Sequence, residues 1–193
     1  MFKIAVLVSG NGSNLQSIID AINKQQIKAQ ISFIVSSNPK AYALQRAKNH
    51  HIKSFVVARN KCLNSSDKIL ELLLQDKVDL VVLAGYLNIL EGKILQVYKK
   101  RIINIHPALL PKYGGVGMYG YHVHDAVIKN KEKESGCTVH YVDKEIDKGE
   151  VILQSKVVVR KNDTPQTLAK RILEEEHKIL PKAINKIKLQ IEG

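Results

Sequence analysis

The sequence predicts an α/β protein built on a doubly wound, mostly parallel sheet with an antiparallel C-terminal extension. Three observations lead there. Short runs rich in valine and isoleucine alternate with segments of helical spacing through the first hundred residues, the pattern of parallel strands covered on both faces by helices. Beyond Ile105 a Pro- and Gly-containing loop leads into two β-branched runs, which read as an antiparallel pair extending the sheet. A length of 193 residues at 45% hydrophobic content supplies one packed core and too little chain for two ordinary domains. Residues 1–193 are therefore expected to form one domain with two halves, 1–100 and 101–193.

The elements follow in order. Strands are predicted over 3–8, 30–36, 54–58, 79–84 and 101–105, with helices over 15–23, 41–48, 65–75 and 92–98 between them. A short helix is expected near 122–129, then strands over 137–142 and 151–159 separated by the polar segment 143–150. Thr164 is placed as an N-cap with Pro165 at the first helical position, opening a long helix that runs past Glu176. The lysine-rich stretch 178–188 carries Ile179, Leu180, Ala183, Ile184 and Ile187 between its charges, the spacing of a surface helix with snorkelling lysines, and Pro181 is expected to kink or interrupt it.

Composition narrows the function classes. No run of about 18 apolar residues appears and no signal-peptide cleavage pattern follows the first strand, so neither a membrane span nor secretion is expected. The two cysteines, Cys62 and Cys137, form no CxxC pair, which disfavours a disulfide framework or zinc site and fits a reducing, cytoplasmic location. The formal charge of +12 favours anionic partners. With lysines dispersed and aromatics at 5%, there is no basic and aromatic platform for nucleic acid, and acidic small molecules come first.

Three motifs could carry chemistry. Ser9-Gly10-Asn11-Gly12-Ser13-Asn14 stands where the first strand hands over to the first helix. Its glycines permit a tight turn and close backbone approach, and the new helix offers free N–H groups and a dipole to an anion such as phosphate. A dinucleotide fingerprint is disfavoured, because Leu15 fills the third glycine position and the second strand ends Val35-Ser36-Ser37-Asn38 without a ribose-binding acid. A bare helix cap is the rival reading of equal weight.

Asn104-Ile105-His106-Pro107 stands at the carboxyl end of the fifth strand, the end at which open α/β sheets bind ligands. Asn104 and His106 point to the same side of an extended segment and offer an amide donor and an imidazole for oxyanion stabilisation and proton transfer. A satisfied structural histidine is the common alternative. The third motif, 143–149, is a charged turn. Its Asp147 would meet His106 if the two loops converge at one sheet edge, and would hold the imidazole charged by raising its pKa. His50 and His51 read as a surface pair at a helix end, and His122 and His124 as the start of a helix. None has metal spacing.

These residues, with Val82-Leu83-Ala84-Gly85-Tyr86, the continuation Ala108-Leu109-Leu110-Pro111-Lys112-Tyr113, and Gly136-Cys137-Thr138-Val139-His140-Tyr141-Val142 running on through Asp147 to Gln154, resemble the folate-dependent phosphoribosylglycinamide formyltransferases over nearly the full length. The resemblance implies a Rossmann-like N-terminal half that holds a ribose phosphate and a C-terminal half that completes the catalytic centre and folate cleft. It implies that Gly12, Ser13 and Asn14 bind the phosphate and Glu176 the ribose hydroxyls. Leu87, Asn88, Ile89 and Leu90 would line the pterin pocket, with Asp143, Lys144, Glu145, Ile146 and Asp147 as its other wall. Asn104, His106 and Asp147 fall on the family's catalytic trio. The reaction implied is transfer of the formyl group of 10-formyltetrahydrofolate to the amine of phosphoribosylglycinamide in purine biosynthesis, by a monomer or homodimer without a metal.

Two departures stand out. An arginine that some members place after the third strand has no clear equivalent among Asn64, Ser65, Ser66 and Asp67. The loop 114–121 is longer than the family's compact form, with glycines suited to a flap. Formyltetrahydrofolate deformylase and methionyl-tRNA formyltransferase share the trio, but would carry an added N-terminal or C-terminal module. The chain begins at its first strand and stops soon after its closing helix, so neither is expected. A non-catalytic phosphosugar-binding module is the remaining alternative.

Overall fold

The computed structural model describes residues 1–58 and 65–193. Five parallel strands, β1 (Phe2–Val8), β2 (Ala29–Ser36), β3 (Ser54–Val56), β4 (Leu80–Leu83) and β5 (Ile102–His106), are joined by β6 (Glu134–Tyr141) and β7 (Val151–Val158) in the order β3-β2-β1-β4-β5-β6-β7. β6 pairs antiparallel with β5, and β7 antiparallel with β6. Cys62 and Asn64 lie outside the described residues.

Side chains alternate across each strand, and β1 shows the consequence. Ile4, Val6 and Val8 enter one core with Leu15, Ile18, Ala43, Ala47, Val127, Leu168 and Ile172, whereas Ala5 and Leu7 enter a second with Phe33, Ile69, Leu73 and Ile94. The first face is covered by α1 (Ser13–Asn23), α2 (Tyr42–Asn49), α5 (Tyr121–Lys129) and α6 (Pro165–Glu192); the second by α3 (Ser65–Gln75) and α4 (Lys93–Val97). A strand buried on both faces needs a continuous apolar run, and β1 and β4 have one.

Strand boundaries shift by a residue or two from the sequence expectation, except that β6 starts at Glu134, because Glu134 and Ser135 already pair with Val158 and Val157. Thr164 caps α6, accepting from Thr167 N with Pro165 at the first turn. Pro181 does not interrupt α6, which continues to Glu192. Proline removes one N–H and leaves one carbonyl unpaired, and the burial of Ile179, Leu180, Ala183 and Ile184 on either side of it in the core outweighs that loss. Among the described residues no helix is long and apolar enough to cross a membrane.

The chain order reverses between β1 and β4. At such a switch point the loops leaving the two strands diverge and open a crevice at the carboxyl ends. Residues 9–14 leave β1 on one side of it, residues 84–90 leave β4 on the other, and β5 delivers Asn104 and His106 beside them.

Candidate active site

A cleft of about 530 Å³ opens at this switch point. Its walls are Gly85 to Leu90, Asn104 to Pro107, Gly115 to Gly120 and Val142 to Asp147, with Asn14, His124, His140 and Glu176 reaching in from the helices and β6. The segments expected as folate walls, Leu87 to Leu90 and Asp143 to Ile146, therefore line the same cleft as the trio Asn104, His106 and Asp147. Asn14 and Glu176 border the same cleft, while Gly12 does not and Ser13 lines an adjoining groove with Gln16, Arg46 and His177.

The two loops do meet, and Asp147 reaches His106, although the loops leave the sheet at opposite ends. Because β6 is antiparallel to β5, its end at Tyr141 pairs with Ile103, near the start of β5. The 142–150 segment then doubles back to begin β7, with Val151 opposite His140. Asp147, at a left-handed φ of 57°, turns its carboxylate inward: Oδ2 lies 3.5 Å from His106 Nδ1 and Oδ1 lies 3.6 Å from His140 Nε2. Gly115 N–H donates to Oδ2 at 3.0 Å. The other His106 nitrogen, Nε2, is 2.8 Å from the carbonyl of Tyr113, itself at φ 57°. A carbonyl only accepts, so Nε2 carries a proton.

The charge on His106 differs from expectation. Its side chain is 4% exposed. Burial pushes its pKa down; Asp147 and the Tyr113 carbonyl push it up, His140 pushes it down, and the net direction is down. At 3.5 Å the Asp147 contact is longer than a charge-assisted hydrogen bond and does not offset desolvation of the imidazolium. For Asp147 itself burial acts upward, but the neighbouring His140 and His106 rings and the Gly115 N–H outweigh it, and the net direction is down. Both shifts favour one resting state, a carboxylate beside a neutral imidazole.

His140 and His124 also border the cleft, and neither was singled out as a site residue from the sequence. His140 is the cross-strand partner of Asn104; its Nδ1 lies 2.9 Å from Tyr141 O and its Nε2 3.2 Å from Asn104 Nδ2. With the proton on Nδ1, Nε2 accepts from the amide and fixes which way Asn104 faces. Antiparallel pairing of 137–142 with 101–105 was the available signal, but it required the register. His124, expected near the start of a helix, is buried on α5 with Nδ1 unpartnered, and its pKa is pushed down to about 4 by burial and by His106.

Where α1 and α6 border the cleft, Asn14 Nδ2 donates to Glu176 Oε2 at 2.7 Å. Burial pushes the Glu176 carboxyl up to about 7, against the lowering effect of that bond. α1 begins two residues before the sequence expectation, with Gly12 as a left-handed N-cap at φ 76° and no side-chain cap. The first intrahelical bond is Gln16 N to Gly12 O, so the N–H groups of Ser13, Asn14 and Leu15 precede it. The glycine requirement at position 12 has a cause other than ligand approach: a Cβ there would stand 2.7 Å from Ala43 Cβ of α2.

In the loop 114–121, Gly115, Gly117 and Gly120 all adopt positive φ, and Val116 is 88% exposed over the cleft mouth. Where the family's folate-contacting arginine was sought, Ser65 to Asp67 form the first turn of α3, and Ser66 Oγ accepts from Glu91 N at 3.0 Å. Among the described residues no group of three or more His, Cys, Asp or Glu side chains is arranged to hold a metal ion.

Residues 2–184 match the formyl transferase family model. The phosphoribosylglycinamide formyltransferase of Haemophilus influenzae is 42% identical over 187 residues, 95% of this chain and 86% of that protein. The chloroplastic phosphoribosylglycinamide formyltransferase of Arabidopsis thaliana is 38% identical over 96% of this chain, which spans 65% of the length of that relative. Among solved structures, glycinamide ribonucleotide transformylase 1 of Symbiobacterium toebii superposes with a TM-score of 0.89 at 36% identity, over 96% of this chain and 86% of that one.

Proposed function

The chain belongs to the formyl transferase family, and we propose that it transfers the formyl group of 10-formyltetrahydrofolate to the amine of 5'-phosphoribosylglycinamide in purine biosynthesis. The observation that carries this reading is the presence, in one cleft, of Asn104, His106 and Asp147 together with the Leu87–Leu90 and Asp143–Ile146 segments and the hydrogen-bonded Asn14–Glu176 pair.

The neutral amine of the acceptor attacks the formyl carbon. A new C–N bond forms, the carbonyl oxygen becomes an oxyanion, and the nitrogen must lose a proton. His106 is poised for this: burial keeps it neutral at rest, and a second negative charge growing beside it, next to Asp147, raises its proton affinity. It takes up the proton as the oxyanion forms, and the resulting imidazolium stabilises that charge. Asn104, oriented by His140, supplies the amide donor. The proton then passes to the folate nitrogen as its bond to the formyl carbon breaks, which regenerates neutral His106 and releases tetrahydrofolate.

Gly12, Ser13 and Asn14 hold the phosphate through the start of α1, and Glu176 holds the ribose hydroxyls. The folate occupies the walls Leu87–Leu90 and Asp143–Ile146. The enzyme acts as one domain, as a monomer or homodimer, in the cytoplasm. The buried Cys137, whose thiol burial pushes well above its usual range, is inert and suits a reducing compartment.

The test is acceptor dependence. Purified protein given 10-formyltetrahydrofolate should release tetrahydrofolate only when phosphoribosylglycinamide is present. Release into water alone would identify a deformylase, and binding of both ligands without turnover a phosphosugar module.

A further inference from the structure

The opening turn is held from outside by α2. Ala43 N–H donates to Gly10 O at 3.2 Å. Arg46, one turn further along, grips Asn11 with two donors: Nε to the Asn11 carbonyl and Nη2 to Asn11 Oδ1, both at 2.9 Å. Its remaining nitrogen, Nη1, donates to Gln16 Oε1 at 3.2 Å, and the guanidinium lies 5.0 Å from the Tyr42 ring centroid. All these acceptors are neutral, and among the described residues no carboxylate lies within ion-pair distance of Arg46. The nearest route to one is indirect, through Gln16 Nε2, which donates to Asp20 at 2.9 Å.

A planar fork on one residue's carbonyl and side-chain oxygen fixes that residue's backbone far better than a point charge does. Here the fixed residue immediately precedes Gly12, the left-handed N-cap of α1. Two positive poles, the guanidinium and the start of α1, therefore stand on the same turn without a direct counter-charge. Like poles in that arrangement repel unless an anion comes between them. An independent feature at the same turn calls for a donor on the ligand, such as a sugar hydroxyl carried beside the phosphate: Asn14, 8% exposed, borders the cleft with Oδ1, an acceptor, buried and unpartnered.

We infer that Arg46 is a positioning residue for the acceptor's phosphate, locking Asn11 and Gly12 so that the free N–H groups of Ser13 and Asn14 converge on it. This rests on the phosphoribosylglycinamide reading above. Arg46 does not touch the reacting atoms, so its loss acts on acceptor affinity and leaves the chemical step alone.

The test compares R46M, R46K and N11A with wild type, using phosphoribosylglycinamide and its unphosphorylated riboside at saturating 10-formyltetrahydrofolate. R46M should raise KM for the phosphorylated acceptor by about tenfold, the scale of one lost hydrogen bond from a charged donor. Its kcat and folate KM should stay within about threefold of wild type, and the riboside should show little change. N11A, which removes one arm of the fork, should move the same way by less. An unchanged acceptor KM in R46M, an equal rise for both acceptors, or full recovery by R46K would each overturn the assignment. Should R46M fail to fold, N11A and R46K carry the test, and wild-type KM in both overturns it. If wild-type protein does not turn over the acceptor, the functional reading fails separately. Ribose 5-phosphate titration then decides on Arg46, and equal affinity for wild type and R46M overturns its role.

Discussion

Replacing Glu176 with glutamine should stabilise this protein at alkaline pH while damaging acceptor binding. Glu176 is 7% exposed and accepts one hydrogen bond, from Asn14 Nδ2. Burial raises its carboxyl from 4.5 to about 7. A group whose pKa is raised on folding contributes stability that is present below its unfolded pKa and lost as pH rises through its folded pKa. The native state holds a proton between these values that the unfolded chain has released. At 1.36 kcal/mol per unit, the full difference is roughly 3 kcal/mol above pH 8 and about 1 kcal/mol at pH 5. Wild type should thus lose about 2 to 3 kcal/mol from this group over that interval.

Glutamine keeps the shape, cannot ionise, and can donate to the unpartnered Asn14 Oδ1 after a flip of the Asn14 amide. Urea unfolding of wild type and Glu176→Gln at pH 5 and pH 8 measures the effect, and titration calorimetry with phosphoribosylglycinamide measures the loss of affinity. The variant should nearly match wild type at pH 5 and exceed it by about 2 kcal/mol or more at pH 8. Parallel stability profiles in the two proteins would refute the reasoning, because the buried carboxyl would then not be the titrating group. A stability gain with weakened binding is the signature of a residue retained for function.

His124 should produce the opposite trend. Its pKa is depressed to about 4, so its stability contribution is present above the unfolded value and lost as pH falls; between pH 7.5 and 5 wild type should lose about 2 kcal/mol that His124→Gln does not, and identical denaturation curves for the two proteins would exclude it. His106→Ala and Asp147→Asn should each cut kcat by on the order of 100-fold or more with ribonucleotide binding nearly intact, and a near-normal rate in either would remove that residue from the mechanism. Gly12→Ala places a side chain at φ 76° and 2.7 Å from Ala43, which should cost roughly 2 to 4 kcal/mol; an unchanged thermal midpoint would show that α2 yields without strain.

The fold was legible because its signals are local. Each parallel strand is a short β-branched run, each helix carries its own apolar stripe, and Thr164-Pro165 announces the last helix. The misses are tertiary. Pro181 was expected to kink or interrupt the helix because propensity is local, whereas the burial of the α6 residues around it, which carries the helix through to Glu192, is not. His140 comes to the cleft and to Asn104 only through its cross-strand register. The charge of His106 could not be read at all, since it depends on how far burial outweighs a carboxylate 3.5 Å away. Gly12 was read as permitting a tight turn, and its left-handed φ of 76° bears that out; the second constraint on it, the 2.7 Å approach to Ala43, was not legible because that atom belongs to a helix about thirty residues later in the chain.

The two buried carboxylates of the cleft show why position matters more than residue type. Asp147 has the His106 and His140 rings within 3.6 Å and a backbone N–H on Oδ2, and its pKa moves down. Glu176 has a single amide donor, and its pKa moves up to about 7. At neutral pH the first is an anion, able to hold an imidazolium once one forms. The second is close to half protonated, able either to donate to a hydroxyl oxygen or to accept from a hydroxyl hydrogen. Environments that push paired carboxylates apart suit them to different work: in the proposed reaction, charge stabilisation where the proton would move, and uncharged or shared-proton hydrogen bonding where the sugar would be held. Exchanging the environments would put a fixed anion beside the sugar and a protonated acid beside His106, and the neutral imidazole would then have no anion to draw the proton onto it as the oxyanion forms.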